Sequence, residues 1–460
     1  MPSVAAMSAQ EVQQLQEKHK IQVQAKHAPK PILSFDDCGL PPTMHINILG
    51  SGCYEPTPVQ MQAIPAGLLG QDVVIAAPTR SGKTAAYLIP TLVHAYGLAQ
   101  VYSKQTLSAR STMETTEGDD DQGPSPSAHQ GPYVLVLVPT HELAAQVEEQ
   151  AKVFVKGLPH MRTANLSGGL GIKNQVYRLK QNVQVAIATP GRLIEILFRF
   201  PEVSFSNVYS IVLDEVDMMY SLGFDQQVQR ILDVIPEPTG GRQTIVCSAT
   251  FPKKTENSIR GILHHPVRIR VGDPVVSEEG SAPVGNEHHG DFVTDSSGDS
   301  SGLVPTASVR QTIMWVENAS KKKTLFSILR DRKYFHPPIL VFVDSRLGAE
   351  LLAKAIAIKC PGVKAASMHG ENTPAERLAT LSAFKDGSVQ VMVATGLLAR
   401  GLDLRVPLVI NFDMAPTIEE QSECKRSSCS GSATAAWRQR ATEDWADDGW
   451  DGMGDHVRQS

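Results

Sequence analysis

One stretch constrains this chain more than any other, and it runs Asp72-Val-Val-Ile-Ala-Ala-Pro-Thr-Arg-Ser-Gly-Lys-Thr84. It predicts a short buried strand, a tight loop and the first turn of a helix. The pattern Ala77-x-x-x-x-Gly82-Lys83-Thr84 is that of a P-loop with Ala in place of the first Gly. Such a loop turns its backbone N–H groups toward phosphate oxygens at a helix N-terminus. Lys83 would then reach the β- and γ-phosphates, and Thr84 would offer its hydroxyl to Mg²⁺.

A second stretch points to the same chemistry. Residues 208–213 predict a buried strand, and Asp214, Glu215 and Asp217 follow at its end, where carboxylates can meet a P-loop metal. Each pattern has a plainer alternative, because Gly-containing turns recur by chance and acidic residues after a strand also cap helices. The two stretches together favour a nucleotide hydrolase.

The composition sets wide limits. At 460 residues the chain is long enough for two or three domains. Its apolar content of 42% and charged content of 20% are ordinary for globular proteins. The net charge of −5 gives no global basic signature, so any nucleic-acid surface must be local.

The cysteines and the apolar runs bear on the compartment. None of the six cysteines lies in a C-x-x-C pair, which argues against a zinc site and favours free thiols in a reducing compartment. No signal peptide pattern and no apolar run of membrane length is found. We therefore expect an intracellular protein of the nucleus or cytoplasm, soluble and without a membrane partner.

The first half of the chain predicts one α/β domain at 31–272. Residues 8–23 carry a helical pattern, either a docking helix or a solvated extension, and we favour an extension over 1–30. Residues 99–130 are polar and predict a disordered surface insertion. Strands alternate with helices in the domain, which predicts βαβ crossovers and a parallel sheet. The predicted strands are Val73–Ala77, Tyr133–Val138, Val183–Ala188, Val208–Leu213, Gln243–Cys247 and Val267–Val271.

The second half begins with a flexible linker at 273–308, which is rich in Ser, Gly, Asp and Glu. A second α/β pattern follows at 309–420. Residues 421–460 contain one Val and no Ile or Leu, so we predict an atypical, disordered tail and an incomplete second domain. The predicted strands are Gln311–Val316, Ile339–Val343, Val363–Met368, Val389–Ala394 and Leu408–Phe412.

These motifs, in this order, resemble the DEAD-box ATP-dependent RNA helicases over about Pro31 to Glu420. The resemblance is closest to the subgroup whose full-length members carry an N-terminal HIT-type zinc finger, a motif not found in this sequence. It implies two RecA-like parallel-sheet domains in tandem. It also implies ATP and Mg²⁺ as cofactors and RNA as a partner bound through its backbone.

The resemblance assigns roles around the nucleotide. Asp214 would hold Mg²⁺ with Thr84, partly through water, while Glu215 would orient the attacking water. The coupling motif Ser248-Ala-Thr250 would hydrogen-bond toward Asp217. Gln60 suits the N6 and N7 edge of adenine, because its amide both donates and accepts. The implied ATP-binding set is Phe35, Tyr54, Gln60, Ala77, Pro78, Thr79, Arg80, Ser81, Gly82, Lys83, Thr84 and, from the second domain, Asp403, which would face the ribose; Lys83, Asp214 and Glu215 are its catalytic members.

The family's RNA contacts match loops of this chain. Hydroxyls, Gly N–H groups, helix N-termini and one Arg suit phosphate and sugar contacts, which position RNA without reading its sequence. For the Gly pair taken alone, a purely structural loop is the alternative. The matching residues are Pro139, Thr140, Glu142, Gly168, Gly169, Thr189, Pro190, Gly191, Arg192 and Thr395.

Three departures from the family pattern affect the expected function. Arg80 stands where the family has Gly, and it costs roughly 1–2 kcal/mol if the position needs a positive φ. His141 replaces an Arg. After Glu420 the family's helix with a His and two Arg is missing, and losing such arginines costs about 10³–10⁵ in turnover. The sequence thus predicts an RNA helicase. The alternative is a non-hydrolysing ATP- or RNA-binding remnant from a splice or gene-model variant, and a DNA helicase is more distant.

Overall fold

The computed structural model describes residues 7–113, 132–272, 310–396, 404, 406–413 and 433–438. The chain divides into two compact units, residues 1–302 and 303–460. Each unit is built on its own sheet. The predicted class of two parallel-sheet α/β domains in tandem is confirmed.

The first unit is organised by an eight-stranded sheet of order β1-β8-β2-β7-β6-β3-β5-β4. All neighbours are parallel except β1, which pairs antiparallel with β8. The parallel strands β2 to β6 are buried along their whole length, because both faces of a parallel sheet are covered. The strands are β1 Ile21–Gln24, β2 Val73–Ala76, β3 Val134–Leu137, β4 Thr163–Leu166, β5 Val185–Ala188, β6 Ser210–Leu213, β7 Gln243–Ser248 and β8 Val267–Val271.

Helices cover this sheet and divide its core into two apolar clusters. One cluster gathers Tyr87, Phe154 and Phe35, and the other gathers Leu193, Ile196 and Ile231. A single turn of 3-10 helix at Phe35–Cys38 joins the first cluster. The helices are α1 Ala9–Lys18, α2 Pro42–Gly50, α3 Pro58–Leu68, α4 Lys83–Met113, α5 His141–Val155, α6 Ile172–Leu179, α7 Pro190–Arg199, α8 Val216–Ser221, α9 Asp225–Val234 and α10 Lys253–Arg260.

The N-terminal segment differs from the solvated extension expected over 1–30. Helix α1 begins at a capping box in which Ser8 and Glu11 each bond the other's backbone N–H group. The chain then forms β1, whose Ile21 is buried against the first core cluster. The helical pattern of residues 8–23 therefore ends at Lys18. Beyond it, Ile21 and Val23 alternate with exposed Gln residues and pack against the first core cluster, as a strand with one covered face requires.

The insertion expected at 99–130 also begins later than its composition indicated. Helix α4 continues to Met113, and Ala99 is buried in the first core cluster. The ring of Tyr102 stacks on Tyr133 with centroids 5.8 Å apart. An apolar residue and an aromatic stack thus hold the helix against the sheet where the sequence shows mostly polar residues. Residues 114–131 lie outside the described part of the chain.

The second unit has a six-stranded sheet of order β11-β12-β10-β13-β14-β9, with every neighbouring pair parallel. Leu325, Val341 and Ile356 belong to its larger core cluster. The strands are β9 Arg310–Trp315, β10 Ile339–Val343, β11 Ala365–Met368, β12 Val391–Thr395, β13 Leu408–Asn411 and β14 Ala433–Arg438, and the helices are α11 Asn318–Arg330, α12 Arg346–Lys359 and α13 Pro374–Lys385.

Strand β14 is the largest difference from the sequence prediction. It lies in the segment 421–460, for which we expected a disordered tail. Ala433 pairs with Leu408 on one side and with Arg310 on the other, so the strand joins β13 to β9. A strand forms its ladder through backbone N–H and C=O groups, which need no aliphatic side chains. A count of aliphatic residues therefore missed it.

Candidate nucleotide site and nucleic-acid interface

The strand order of the first unit separates two groups of predicted functional loops. The P-loop follows β2, Asp214 follows β6 and Ser248 ends β7, and these strands are neighbours in the order β2-β7-β6. The predicted RNA loops follow β3, β5 and β4, which are neighbours in the other half of the sheet. In open parallel sheets, ligands bind outside the carboxyl ends of the strands. The topology therefore puts the predicted nucleotide residues in one half of the sheet and the predicted RNA residues in the other, and we call these the nucleotide half and the nucleic-acid half.

The P-loop contains two residues with left-handed backbone. Gly82 has φ +93°, and a Cβ there would lie 2.4 Å from Nε2 of Gln60, so only Gly fits. Arg80 has φ +65°. The strain expected for Arg at this position depended on a positive φ, and the structure has one. The substitution of Gly by Arg therefore carries a conformational cost in the phosphate-binding loop.

Lys83 lies at the centre of a buried charge cluster. Its Nζ donates to the carbonyl of Ala77 at 2.8 Å and lies 3.5 Å from Oε1 of Glu215. Asp214 is 2% exposed and Lys83 is 6% exposed, so both groups are largely withdrawn from water. The backbone of Glu215 is itself left-handed, with φ +52°, a conformation that non-Gly residues adopt mainly at functional positions.

The protonation of this cluster follows from burial and from its charges. Burial raises the pKa of Glu215 to about 7, and the carboxylates of Asp217 and Asp214 add to the rise while Lys83 opposes it. Burial likewise raises the pKa of Asp214. Burial lowers the pKa of the Lys83 amine, but the attraction of the three carboxylates outweighs it and the net change is upward. The site thus holds one ammonium group among three carboxyl groups.

Tyr87 is a site residue that sequence reasoning missed. Its hydroxyl donates to Oδ2 of Asp214 at 2.9 Å, and its ring is fully buried. The other carboxylate oxygen, Oδ1, accepts the backbone N–H of Glu215 at 3.0 Å. Tyr87 lies one helical turn after Lys83, so both face the same side of α4. The four-residue spacing from Lys83 along the P-loop helix could have identified Tyr87 as a site residue from the sequence.

The donor set suits Mg²⁺ bound together with a nucleotide. Asp214 supplies a buried carboxylate, Thr84 begins α4 beside Lys83, and Oγ of Ser81 is buried without a partner among the described residues. Hard oxygen donors of this kind are what Mg²⁺ prefers, and it is commonly held by one or two carboxylates plus substrate phosphates. Among the described residues, no group of three or more His, Cys, Asp or Glu side chains is arranged to hold a metal by itself.

The coupling motif makes the contact that the sequence predicted. Oγ1 of Thr250 donates to Oδ2 of Asp217 at 2.7 Å, and the Thr250 backbone N–H donates to the same oxygen at 3.2 Å. Oγ of Ser248 accepts the backbone N–H of Asp217 at 3.4 Å. The end of β7 is therefore tied directly to α8, which follows the carboxylates of the nucleotide half.

The predicted adenine-binding residues lie in three different environments. Gln60 donates from Nε2 to the carbonyl of Gly82 at 3.1 Å and accepts from the Thr57 backbone at 3.0 Å. Phe35 is 1% exposed and Tyr54 is 74% exposed. Phe35 is therefore part of the core, while Tyr54 presents an open ring. Gln60 ties the segment before α3 to the phosphate loop.

In the nucleic-acid half, backbone N–H groups and hydroxyls gather at the ends of three adjacent strands. Thr140 caps α5 by accepting the Leu143 N–H at 3.2 Å. Gly168 packs against the ring of His141, and a Cβ on this Gly would come within 2.7 Å of that ring. The His that replaces the family's Arg therefore lies against the Gly pair.

Arg192 joins two of these loops. Its Nη1 donates to the carbonyl of Leu170 at 2.8 Å and to Oε1 of Gln175 at 2.7 Å, while its Nε lies 3.2 Å from Glu195. These contacts hold Arg192 beside the loop that contains Gly168 and Gly169. The other predicted residues here are Pro139, Glu142, Thr189, Pro190 and Gly191, which lie at the starts of α5 and α7.

The second unit contributes fewer of the predicted site residues than the first. Thr395 ends β12 and is partly exposed. Asp403, the predicted ribose contact, lies outside the described residues. The segment 414–432, which includes the point where the family motif breaks off, lies outside them as well.

Comparison with known proteins agrees with this geometry. The DEAD/DEAH box helicase family model matches residues 57–258, and that of the helicase conserved C-terminal domain matches residues 320–428. "Probable ATP-dependent RNA helicase DDX59" of Mus musculus is 41% identical over 91% of this chain and 58% of its own length. "DEAD-box ATP-dependent RNA helicase 41" of Arabidopsis thaliana is 38% identical over 90% of this chain and 71% of its own length.

A solved structure supports the fold. The S. cerevisiae protein Dbp5, in a structure described as bound to RNA and ADP BeF3, matches with a TM-score of 0.66 at 19% identity over 89% of this chain and 90% of that one. The fold and the two family models together define two RecA-like domains of the helicase class. The chain belongs to the DEAD-box ATP-dependent RNA helicase family. It spans 58% of the length of the mouse DDX59 relative. No helix in the described part of the chain is long and apolar enough to cross a membrane.

Proposed function

We propose that this chain is an RNA-stimulated ATPase that couples ATP binding and hydrolysis to RNA clamping and local duplex separation. The observation that carries the proposal is the buried cluster of Lys83, Glu215 and Asp214 at the ends of β2 and β6. A phosphoryl transition state is stabilised by positioning and charge, which these groups supply without covalent chemistry. The names of the relatives support RNA as the nucleic acid.

Each residue then has a task. The P-loop N–H groups and Lys83 bind the phosphates, Gln60 couples the adenine side to Gly82, and Glu215 orients the attacking water. Thr84 and Asp214 would hold Mg²⁺, which supplies charge neutralisation of the phosphate oxygens when bound. Asp403 is proposed to contact the ribose.

Coupling to RNA would run through the first-unit hydrogen bonds. Asp217 links the nucleotide half to Ser248 and Thr250, which would report the nucleotide state to the end of β7. RNA phosphates and sugars would lie along the residues that follow β3, β5 and β4, and on Thr395 in the second unit. Such contacts position a strand without selecting its sequence.

The test is ATP hydrolysis with and without single-stranded RNA, on this chain and on its Glu215→Gln variant. We expect stimulation by RNA in the unaltered chain, and loss of turnover with retained ATP binding in the variant. ATP binding without any RNA-stimulated hydrolysis in the unaltered chain would favour the non-hydrolysing alternative instead. Lys83→Ala is the second variant, because it should lose nucleotide binding itself; unaltered binding would remove the P-loop from the mechanism.

A further inference from the structure

A basic cavity lies at the amino ends of two strands of the first sheet, on the side away from the P-loop and the predicted RNA loops. It has a volume of about 450 Å³ and is lined near the amino ends of β4 and β5, by residues such as Thr163 and Val183. The P-loop, the carboxylates after β6 and the predicted RNA residues of the first unit follow carboxyl ends of strands. In a parallel sheet the amino ends of the strands lie opposite their carboxyl ends, so this cavity belongs to neither of the sites described above.

Four cationic side chains surround the cavity, and they are Lys152, Lys156, Arg162 and Arg178. One carboxylate, Glu148, is buried beside them, 3.0 Å from Lys152 and 3.3 Å from Arg178. The other guanidinium contacts, from Arg162 to the Gln181 carbonyl and from Arg178 to the Thr163 carbonyl, orient the cations without neutralising them. Positive charge is therefore in excess here, although the whole chain has a net charge of −5.

The walls of the cavity are held by specific local structure. Asn47 donates to the carbonyls of Phe154 and Lys156, at 3.0 and 2.7 Å, and so fixes the end of α5. The loops on either side contain two non-Gly residues with left-handed backbone, His160 at φ +62° and Asn182 at φ +57°. Such conformations persist where the surrounding structure imposes them. The cations are thus presented by a preformed frame, as binding cavities usually are.

The residues that form the floor of the cavity distinguish between two anionic partners, a single-stranded nucleic acid and an acidic peptide. Val155, Leu158, Met161 and Val183 line it, and no aromatic ring is among its lining residues. Single-stranded nucleic acids bind through bases stacked on aromatic rings as well as through phosphates, and this cavity has no ring to stack on. Aliphatic side chains instead accept an aliphatic anchor, while Arg and Lys at the rim pair with carboxylates.

We propose that this cavity docks an acidic peptide segment of a partner protein, with carboxylates on the cationic rim and one aliphatic side chain on the apolar floor. Pairing at an exposed rim favours fast association and specificity, and it weakens with salt. The partner would bind without covering the nucleotide or RNA loops, because it occupies the amino-end edge of the sheet. The helicase could then be recruited to an assembly while it turns over.

The experiment uses the full chain and a fluorescein-labelled peptide, Asp-Glu-Leu-Asp-Glu-Leu-Asp-Glu, measured by fluorescence anisotropy. The paired substitution Lys156→Gln and Arg162→Gln should weaken binding about tenfold or more, and so should raising the salt about tenfold. The matched control, Lys18→Gln with Lys26→Gln, removes the same charge elsewhere on the first unit. It should change the affinity by less than about twofold. Thermal unfolding of both variants verifies that they are folded.

Three results would overturn the proposal. One is a peptide affinity that the paired substitution leaves unchanged. Another is equal binding of the neutral peptide Asn-Gln-Leu-Asn-Gln-Leu-Asn-Gln, which would remove charge from the recognition. The third is tighter binding of an oligouridine of matching length that the paired substitution abolishes, because the cavity would then be a nucleic-acid site. Met161→Ser is a second variant, which should weaken the acidic peptide while leaving the rim charges in place.

Discussion

At the scale of single residues, one of the three departures of this chain from its family, Arg80, lies in the phosphate loop. Gly82 is required twice over, by its φ of +93° and by the closeness of Gln60. Arg80 has the same left-handed backbone but carries a long side chain in place of the family's Gly. Strain and charge thus act on ATP binding from one position, and they can be separated by substitution.

Arg80→Gly should tighten ATP binding by up to about tenfold, which corresponds to the release of about 1.4 kcal/mol of strain. Titration with a fluorescent ATP analogue measures the affinity. Arg80→Ala is the matched control, since it removes the guanidinium while keeping a Cβ at positive φ. Weaker binding in both variants would show that the guanidinium binds phosphate and that the strain is of minor consequence.

Tyr87→Phe removes one hydroxyl from a fully buried ring and leaves Oδ2 of Asp214 without that donor. A hydrogen bond to a charged group contributes about 1.5–3 kcal/mol, so we expect the Mg²⁺ concentration for half-maximal nucleotide binding to rise about tenfold or more. The measurement is a Mg²⁺ titration of nucleotide binding. Tyr102→Phe, on the same helix but away from the carboxylates, should leave the midpoint unchanged. An unchanged midpoint in Tyr87→Phe would mean that Asp214 is oriented by the Glu215 N–H alone.

At the scale of elements, sequence spacing predicted what is local and missed what joins distant segments. The P-loop, the carboxylates after β6 and most strands were readable because their signals fall within a few residues. The contact of Tyr87 with Asp214 joins residues 127 positions apart, so the spacing along α4 puts Tyr87 on the side of Lys83 but does not reveal its partner. Strand β4 is fully buried yet contains Thr163 and Asn165, which weakened its apolar signal. The zinc-finger subgroup stays a prediction.

Strand β1 is held to the core by its two apolar side chains, Ile21 and the partly buried Val23. Ile21 is buried while the neighbouring Gln22 is exposed. Ile21→Ala should cost about 2 kcal/mol or more, and lower the melting temperature of the first unit by about 4–8 °C. Gln22→Ala is the control in the same strand and should change it little. Thermal unfolding measures both, and equal melting temperatures would show that β1 contributes nothing to the stability of the sheet.

At the scale of the whole molecule, two separate sheets predict two separate products of limited proteolysis. One should cover the first unit to about residue 272, and the other should run from about β9 through β14. Ala435→Pro should abolish only the second product. Ala435 pairs with Ile410 and with Thr312, and Pro has no N–H for a central ladder.

Ala441→Pro, beyond the strand, is the control and should leave both products intact. Survival of the second product in Ala435→Pro would show that β14 is dispensable. Rapid loss of everything after residue 272 in the unaltered chain would instead support the incomplete domain expected from the sequence.

The position of β14 has a consequence for synthesis on the ribosome. β9 opens the second unit, and its neighbour in the sheet is β14, the last strand described. At about 5–20 residues per second, the roughly 120 residues between them take about 6–25 s to translate. During that interval β9 has no neighbour and β13 has an open edge, while the first unit has all its strands and can already fold. The nascent second unit is therefore exposed to strand-edge association until β14 emerges.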